Sequence, residues 1–590
     1  MKTIISQLKK ALHIETGEDI SRAVRSFSLG QRLIWGFFLV LFFVGIIGII
    51  KKANDSLLVT VPAHGGSFTE GIIGVPRFVN PVLAASDADR DMTSLVYSGL
   101  MRIGTDGTLI PDLAKSYSIS EDGLTYTFTL KPNLVWQDSL PLTTEDIEFT
   151  VQKVQDALLK SPHHASWQGI TIERPSDTQI SFHLKQPFPG FLENTTLGIL
   201  PKHLWKTVTT DAFSFSTLNT HAIGSGPFKV TNVSVDQTGI PQVIEMAAFS
   251  HFALGEPYIA TVRMRFYTNE ETRLAALNNN EIDAMAGVSP GVVGQIKRND
   301  TSVTTATLPR VFAVFFNQSQ APLFSNKVVR QALDLALDKN KLVQDVFQGY
   351  GVPISGPIPP GSIGFEGASA TSTPAQTDHL AEAKELLAKN GWTMDQTKHV
   401  LVKIEKNGKT VTKTTELAFS LATSDAPDLK HTAELVQKTW QALGAKVDLT
   451  VYEQSDLNQM VIRPRHYDAL FFGEIVGREP DLFSFWHSSQ RNDPGLNIAL
   501  YTSVQADKVL EQIRTTTNTE ERLSLYEQVA RMIQADAPAV FVYSPDFLYV
   551  APKTVVKSSL SSIVINSERF SNAYQWYMQT EKIWTIFLPQ

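Results

Sequence analysis

From Leu33 to Ile50 the chain reads LIWGFFLVLFFVGIIGII, an uncharged run just long enough to cross a bilayer as a helix. A stretch this apolar, set near the N-terminus, divides the chain into an anchor and a separate soluble part. Lys2, Lys9, Lys10, Arg22, Arg25 and Arg32 precede it, whereas only Lys51 and Lys52 follow closely. The more basic flank faces the cytoplasm, so residues 1–32 are placed there and the main domain outside, in a periplasm or at a cell surface. A cleaved signal peptide would carry a shorter apolar region and an A-x-A-like site. No such site stands near Lys51-Lys52-Ala53-Asn54-Asp55, so the run is read as an uncleaved single-pass anchor in the cell membrane.

The chain has 0 cysteines, which excludes a disulfide framework and a lipid-modified cysteine as tether. A retained helix would do the same mechanical job, keeping the soluble part concentrated near a membrane partner. About 530 residues follow the anchor, too many for one core and enough for two or three lobes. With 43% hydrophobic and 19% charged residues the chain can bury large cores and is not disordered. A net charge of -7 gives no electrostatic footprint for nucleic acid.

The passage from Leu113 to Val151, LAKSYSISEDGLTYTFTLKPNLVWQDSLPLTTEDIEFTV, says most about the job. Glu121-Asp122-Gly123 is a turn, and Thr125 to Leu130 alternates polar and apolar residues like a half-buried strand. A loop follows, then Thr143 or Thr144 as N-cap with Glu145 and Asp146 opening a helix. Asp122-Gly123-Leu124-Thr125-Tyr126, Phe128, Leu130-Lys131, Trp136, Asp138 and Thr144-Glu145-Asp146 closely resemble the family 5 extracytoplasmic solute-binding proteins. These are the peptide and oligopeptide receptors of ABC importers. The resemblance spans about residues 68 to 555. It continues through Gly224-Ser225-Gly226-Pro227-Phe228, the capped helix start Asn269-Glu270-Glu271, Phe315-Phe316-Asn317, Val329 to Leu333 and the proline loop Gly356 to Gly361.

The remaining pattern is local. Asp89 to Met101 reads as a helix with Met92, Leu95, Val96 and Leu100 on one face. Glu416–Leu421, Pro427–Leu443 and Lys446–Tyr452 form a βαβ unit, with Pro427 in the first helical turn and Gly444 as C-terminal cap. Asn407-Gly408 predicts a type I′ hairpin turn, and Thr519 to Ala535 an amphipathic helix.

The resemblance implies an α/β, two-lobed periplasmic-binding-protein-like fold with a central cleft and an extra inserted domain, preceded by the transmembrane helix. The expected divisions are a cytoplasmic segment 1–32, anchor 33–50 and linker 51–65. Lobe I takes 66–105, 223–309 and 540–590, with the inserted domain at 106–222, and lobe II is 310–539. Crossovers near Ile223 and Arg310 would form the hinge, and closure around ligand the expected motion. It further implies a monomer with no cofactor and no catalysis, which binds a peptide or peptide-like solute and hands it to permease subunits whose ATPase lies on other chains.

Residue by residue, Ser86, Asp87 and Ala88 match the segment lining the cleft from lobe I, and Phe316 and Asn317 the start of lobe II. In peptide-binding relatives a Gly-Trp step and a nearby aspartate hold the peptide backbone and its α-amino group. Here Phe472-Gly473-Glu474-Ile475 keeps the glycine, places Glu474 at the tryptophan position and Val476 at the aspartate position. Glu474 is a substitute anion or a strand-end residue facing solvent. Trp486 and Tyr543 are aromatic candidates for cleft walls or plain core. The missing aspartate keeps open a receptor for a sugar, an opine-like compound or a metal chelate. A sensor subunit that signals without transport is a further reading.

Two motifs have duller readings. Gly287-Val288-Ser289-Pro290-Gly291 fits G-x-S-x-G and would make a membrane-tethered serine hydrolase using Ser289, but a pattern with three fixed positions recurs by chance. His163-His164 lacks a third metal ligand at convincing spacing and reads as a solvated loop pair. No H-E-x-x-H, Walker A or G-x-G-x-x-G pattern occurs.

Overall fold

The computed structural model describes residues 28–188, 190–365, 378–407, 410–516, 518–555 and 562–587. They fall into two units, one made of the residues up to Ala63 with those from Gln579 on, the other of His64–Met578. Most of the cytoplasmic segment (1–27) and Gly408 of the predicted hairpin turn lie outside the described residues.

In the first unit a helix runs from Leu29 to Leu57, capped where Gln31 N–H donates to Ser28 Oγ and Ser28 N–H to Gln31 Oε1. Its apolar side chains are exposed all round, Leu33 at 69%, Phe42 at 64% and Ile49 at 71%. The helix is long and apolar enough to cross a membrane. The segment 51–65 is not the plain linker expected. The helix continues through Lys51 and Lys52, and Leu58–Ala63 is a strand paired antiparallel with Gln579–Trp584. Its partner lies at the far end of the sequence, so local pattern could not reveal it.

The second unit is organised by one long strand, Ala539–Pro552. Ala539 to Tyr543 pairs with Arg310–Phe316, while Asp546 to Pro552 pairs with Thr301–Thr307. Beyond Arg310–Phe316 lie Ala469–Ile475, Ala418–Ser424 and Lys446–Tyr452. On the other side come Ala284–Ala286, Ser67–Ile73, Thr261–Tyr267, Pro241–Ala248 and Phe228–Val235. The βαβ unit forms as its pattern predicts: helix Pro427–Leu443 ends on Gly444 at φ 109°, and the two flanking strands pair in parallel.

Each half of the sheet has its own apolar core. The first gathers Phe68, Met92, Met264 and Tyr549, and runs on into Phe128, Trp136 and Phe182. Phe128 and Phe182 stand on a separate four-stranded antiparallel sheet, strands Ala114–Ile119, Thr125–Leu130, Gln179–His183 and Thr171–Ser176. The second half packs Phe316, Phe419 and Trp440 on one face and Phe315, Trp486 and Phe541 on the other.

Buried Gln137 explains why the segment Gly224 to Phe228 is glycine-rich. Its Nε2 donates to the carbonyls of Val96, Gly226 and Phe228, and its Oε1 accepts from Gly224 N–H. A Cβ on Gly224 would stand 2.0 Å from Val96 O, and one on Gly226 2.6 Å from Val96 C.

The first core also holds a buried ionic cluster. Arg569 donates to Glu70 Oε1 at 2.8 Å and to both Asp91 oxygens at 2.7 and 2.6 Å, and Tyr549 OH donates to Glu70 Oε2 at 2.9 Å. Burial pushes both carboxyls upward and Arg569 pulls against it. Removing the guanidinium strands two buried carboxyls. Arg569→Ala is expected to cost about 3–5 kcal/mol, read as a lower urea midpoint, and an unchanged midpoint would contradict this account.

Candidate functional site

Helix Asp87–Val96 turns one face, with Ala88, Met92 and Leu95, into the core. Its other face presents Arg90, Thr93 and Ser94, with Tyr97 one turn on, to a cavity of about 320 Å³. The spacing i, i+3, i+4, i+7 is one stripe of a helix. The remaining walls come from distant parts of the chain: His163, Glu193, Asn194 and Thr196; Arg478 from the second half; and Val564 to Glu568.

Arg478 is the centre of charge. Its Nη2 lies 2.8 Å from Glu568 Oε2 and its Nη1 3.6 Å from Glu193 Oε1. Glu568 Oε2 also accepts from Val564 N–H at 2.8 Å, which fixes the carboxylate. Desolvation pushes Glu193 up to about 7, against the pull of Arg478 and with the help of Glu568. Among the described residues, three polar atoms of this wall are buried without a hydrogen-bond partner: Tyr97 OH, Thr93 Oγ1 and Arg478 Nε. Unsatisfied buried groups cost about 1–3 kcal/mol each, so a cavity that collects them suits water or a polar ligand that can bond to them.

The residues singled out from sequence are distributed unevenly. Ser86 caps the helix, accepting from Asp89 N–H at 3.1 Å, and Ala88 is buried beneath it. Asp87 receives Asn566 Nδ2 at 2.9 Å and lies close enough to Arg310 for its charge to offset part of the desolvation of that guanidinium. Arg310 pairs in register with Ile475, whose side chain is 59% exposed. Gly473 lies under the Phe312 ring, which stacks on Tyr543 at 5.2 Å. Tyr543, Phe316 and Trp486 are core, because their strands and helix turn these side chains inward between packed layers. Asn317 is likewise buried, its Oδ1 accepting from Ser319 and Gln320 N–H. Phe472 packs against the same core as Trp486.

Glu474 does not face solvent. It is 7% exposed, no cation pairs with it among the described residues, and burial raises its carboxyl well above the ordinary range. Val476 is buried in the core. Sequence reasoning missed Arg478, Glu193, Glu568 and Tyr97. The polar stripe on helix Asp87–Val96 was the one local signal for part of this set.

Ser289 is an exposed N-cap before the short helix Pro290–Val293, its N–H donating to Glu270 Oε1 at 2.8 Å. No hydrogen bond joins its hydroxyl to a histidine among the described residues. His163 and His164 are half-buried rather than solvated: His163 lines the cavity, and His164 Nδ1 is 3.1 Å from Val154 O. Among the described residues no group of three or more His, Cys, Asp or Glu is placed to hold a metal ion.

A family model described as bacterial extracellular solute-binding proteins, family 5, matches residues 108–497. The chain belongs to that family. The oligopeptide-binding protein AppA of Bacillus subtilis is 26% identical over 513 residues, covering 86% of this chain and 91% of its own. The probable D,D-dipeptide-binding periplasmic protein DdpA of Escherichia coli is 25% identical over 492 residues, 81% of this chain and 89% of its own. The solved structure of AppA with a nonapeptide superposes with a TM-score of 0.63 at 25% identity, covering 88% of this chain and 100% of that one. The family resemblance and the α/β binding-protein fold read from sequence therefore hold, and the chain is a solute-binding protein rather than an enzyme.

A carboxyl whose value is raised on folding holds its proton more tightly in the folded state, so it favours folding at low pH. That contribution is lost as pH climbs from the ordinary glutamate range through about 7. Thermal midpoints of the wild type are expected to fall relative to Glu193→Gln between pH 5 and about 7.5. Parallel profiles would refute the assignment.

Proposed function

We propose that this protein is a membrane-anchored extracytoplasmic receptor that captures peptides or peptide-like solutes and delivers them to an ABC importer. The carrying observation is the cavity walled by helix Asp87–Val96, the segments around Glu193 and Glu568, and Arg478 from the turn after strand Ala469–Ile475, with Tyr97 OH, Thr93 Oγ1 and Arg478 Nε unpartnered among the described residues. Names borne by relatives (oligopeptide-binding, D,D-dipeptide-binding) support the solute class.

The charge pattern supports it too. Glu193 and Glu568 bring carboxylates that suit an ammonium, while Arg478 and Arg90 suit a carboxylate, so a zwitterion finds complementary groups within one space. The volume lies near the lower end of the range of about 300–1,000 Å³ usual for small-ligand sites, which favours a short solute. In this reading the ligand replaces contacts that Arg478 makes with Glu193 and Glu568. Arg478 stands in the turn that follows strand Ala469–Ile475 and its partners on the other side of the cavity, so occupancy is coupled to how the walls close.

Of the candidates from sequence, Asp87 and Ile475, near Arg310, and Gly473, under Phe312, are proposed to meet the part of a ligand that extends beyond the cavity. Glu474 is proposed to act as a neutral acid rather than as an anion. The anchor reading is supported by helix Leu29–Leu57, long and apolar enough to cross a membrane, and by the basic residues that precede it.

Native mass spectrometry of gently purified full-length protein, followed by denaturation, is expected to release solutes with short-peptide masses. Arg478→Ala is expected to weaken binding of the recovered solute about tenfold or more, in keeping with removal of one partner of a buried charge pair. Ser289→Ala is expected to bind normally. A single non-peptide mass would overturn the peptide assignment.

A further inference from the structure

The pairing of Leu58–Ala63 with Gln579–Trp584 places the C-terminal strand at the exit of the anchor helix. The register runs from Ala63 opposite Gln579 to Leu58 opposite Trp584, antiparallel. Leu58 follows directly on helix Leu29–Leu57. A strand antiparallel to one leaving the helix must run toward it, so the chain beyond Trp584 continues in the direction of the helix end.

The apolar side chains there are exposed among the described residues: Trp584 is 44% exposed, Ile586 72% and Phe587 71%, beside Leu57 at 45% and Val59 at 37%. At 1.5 Å per residue, a helix of 29 residues is about 44 Å long, the thickness of a bilayer with its headgroups. With Leu33 to Ile50 in the hydrocarbon, Leu57 stands about 10 Å above its edge, close to the outer limit of the headgroups. Residues that turn back from Trp584 toward the helix then enter the headgroup zone, the depth at which Trp and other amphipathic aromatics are enriched. Lys51 and Lys52 stand at the same level, where lipid phosphates lie.

We propose that Trp584 to Phe587 form a second membrane contact, seated in the outer interfacial zone of the bilayer beside the exit of the anchor. The proposal rests on the anchor reading. Its consequence follows from connectivity alone: the solute-binding unit leaves the membrane-bound unit at Ala63 and rejoins it at Gln579, so it is held by two chain connections rather than one. A single tether leaves a domain free to swivel, whereas two restrict it.

The absence of cysteine permits a clean test, because any introduced thiol is unique. Full-length Ile586→Cys, Gly45→Cys and Thr580→Cys would each be labelled with an environment-sensitive fluorophore. Each would be reconstituted in phosphatidylcholine–phosphatidylglycerol vesicles carrying nitroxides either on the headgroup or deep in the acyl chain. The expected result is a blue shift and loss of emission at 586 with headgroup nitroxide, loss at 45 with acyl-chain nitroxide, and neither at 580. Loss at 45 with none at 586 would overturn the second contact while leaving the anchor standing. No loss at either position would overturn both. A label at 586 shielded from lipid nitroxide and from aqueous iodide alike would mean that protein, such as a second copy, covers the tip, and would also overturn the proposal.

Discussion

The guanidinium of Arg569, 1% exposed, ties together three segments of the core in which it is buried. It is delivered from the C-terminal part of the chain to Glu70 on the strand Ser67–Ile73 and Asp91 on the helix Asp87–Val96. Three segments that are remote in sequence meet at one buried charge. The same short segment that carries Arg569 carries Glu568 one residue earlier, and the helix that carries Asp91 carries Arg90, Thr93 and Ser94 on its other face. The ion pairs inside the core thereby set the positions of the cavity wall outside it. A buried charge tolerates few alternative arrangements, since any register that leaves it unpaired is costly.

The strand Ala539–Pro552 gives the second constraint. It pairs with both Arg310–Phe316 and Thr301–Thr307, so the two halves of the sheet are joined by continuous backbone. Ser544 Oγ donates to Leu308 O at 2.7 Å beside this junction. Arg478 reaches the cavity from the second half, to meet Glu193 and Glu568. Burial there, helped by the neighbouring carboxyl of Glu568, pushes Glu193 up to about 7 against the pull of Arg478. A cavity wall made of charges from several segments responds to a polar ligand as a whole, because a shift in one partner changes the others.

Much of the fold was legible in the sequence because its signals are local. Thr125–Leu130 alternates with the period of a strand and alternates in burial; Asn269 caps a helix through Thr272 N–H; Pro427 and Gly444 bound the helix between them. The site was less legible. Phe316, Trp486 and Tyr543 carry the large apolar side chains that suit either a cleft wall or a core, and packing put them in the core. Glu474 occupies a position expected to carry a partnered anion or to meet solvent, yet it is buried and without a cation among the described residues, a choice no single-strand pattern encodes.

Composition and motifs of adjacent residues suffice for the apolar N-terminal helix, the class of fold and the family. Which charges meet is settled by folding. Arg478 with Glu193 and Glu568, Arg569 with Glu70 and Asp91, and Leu58 with Trp584 are separated along the chain by tens to hundreds of residues. Each pairing is fixed by strand order and burial rather than by spacing. Desolvation then sets which ionisable groups keep ordinary chemistry and which do not, and it acts only once the chain has folded.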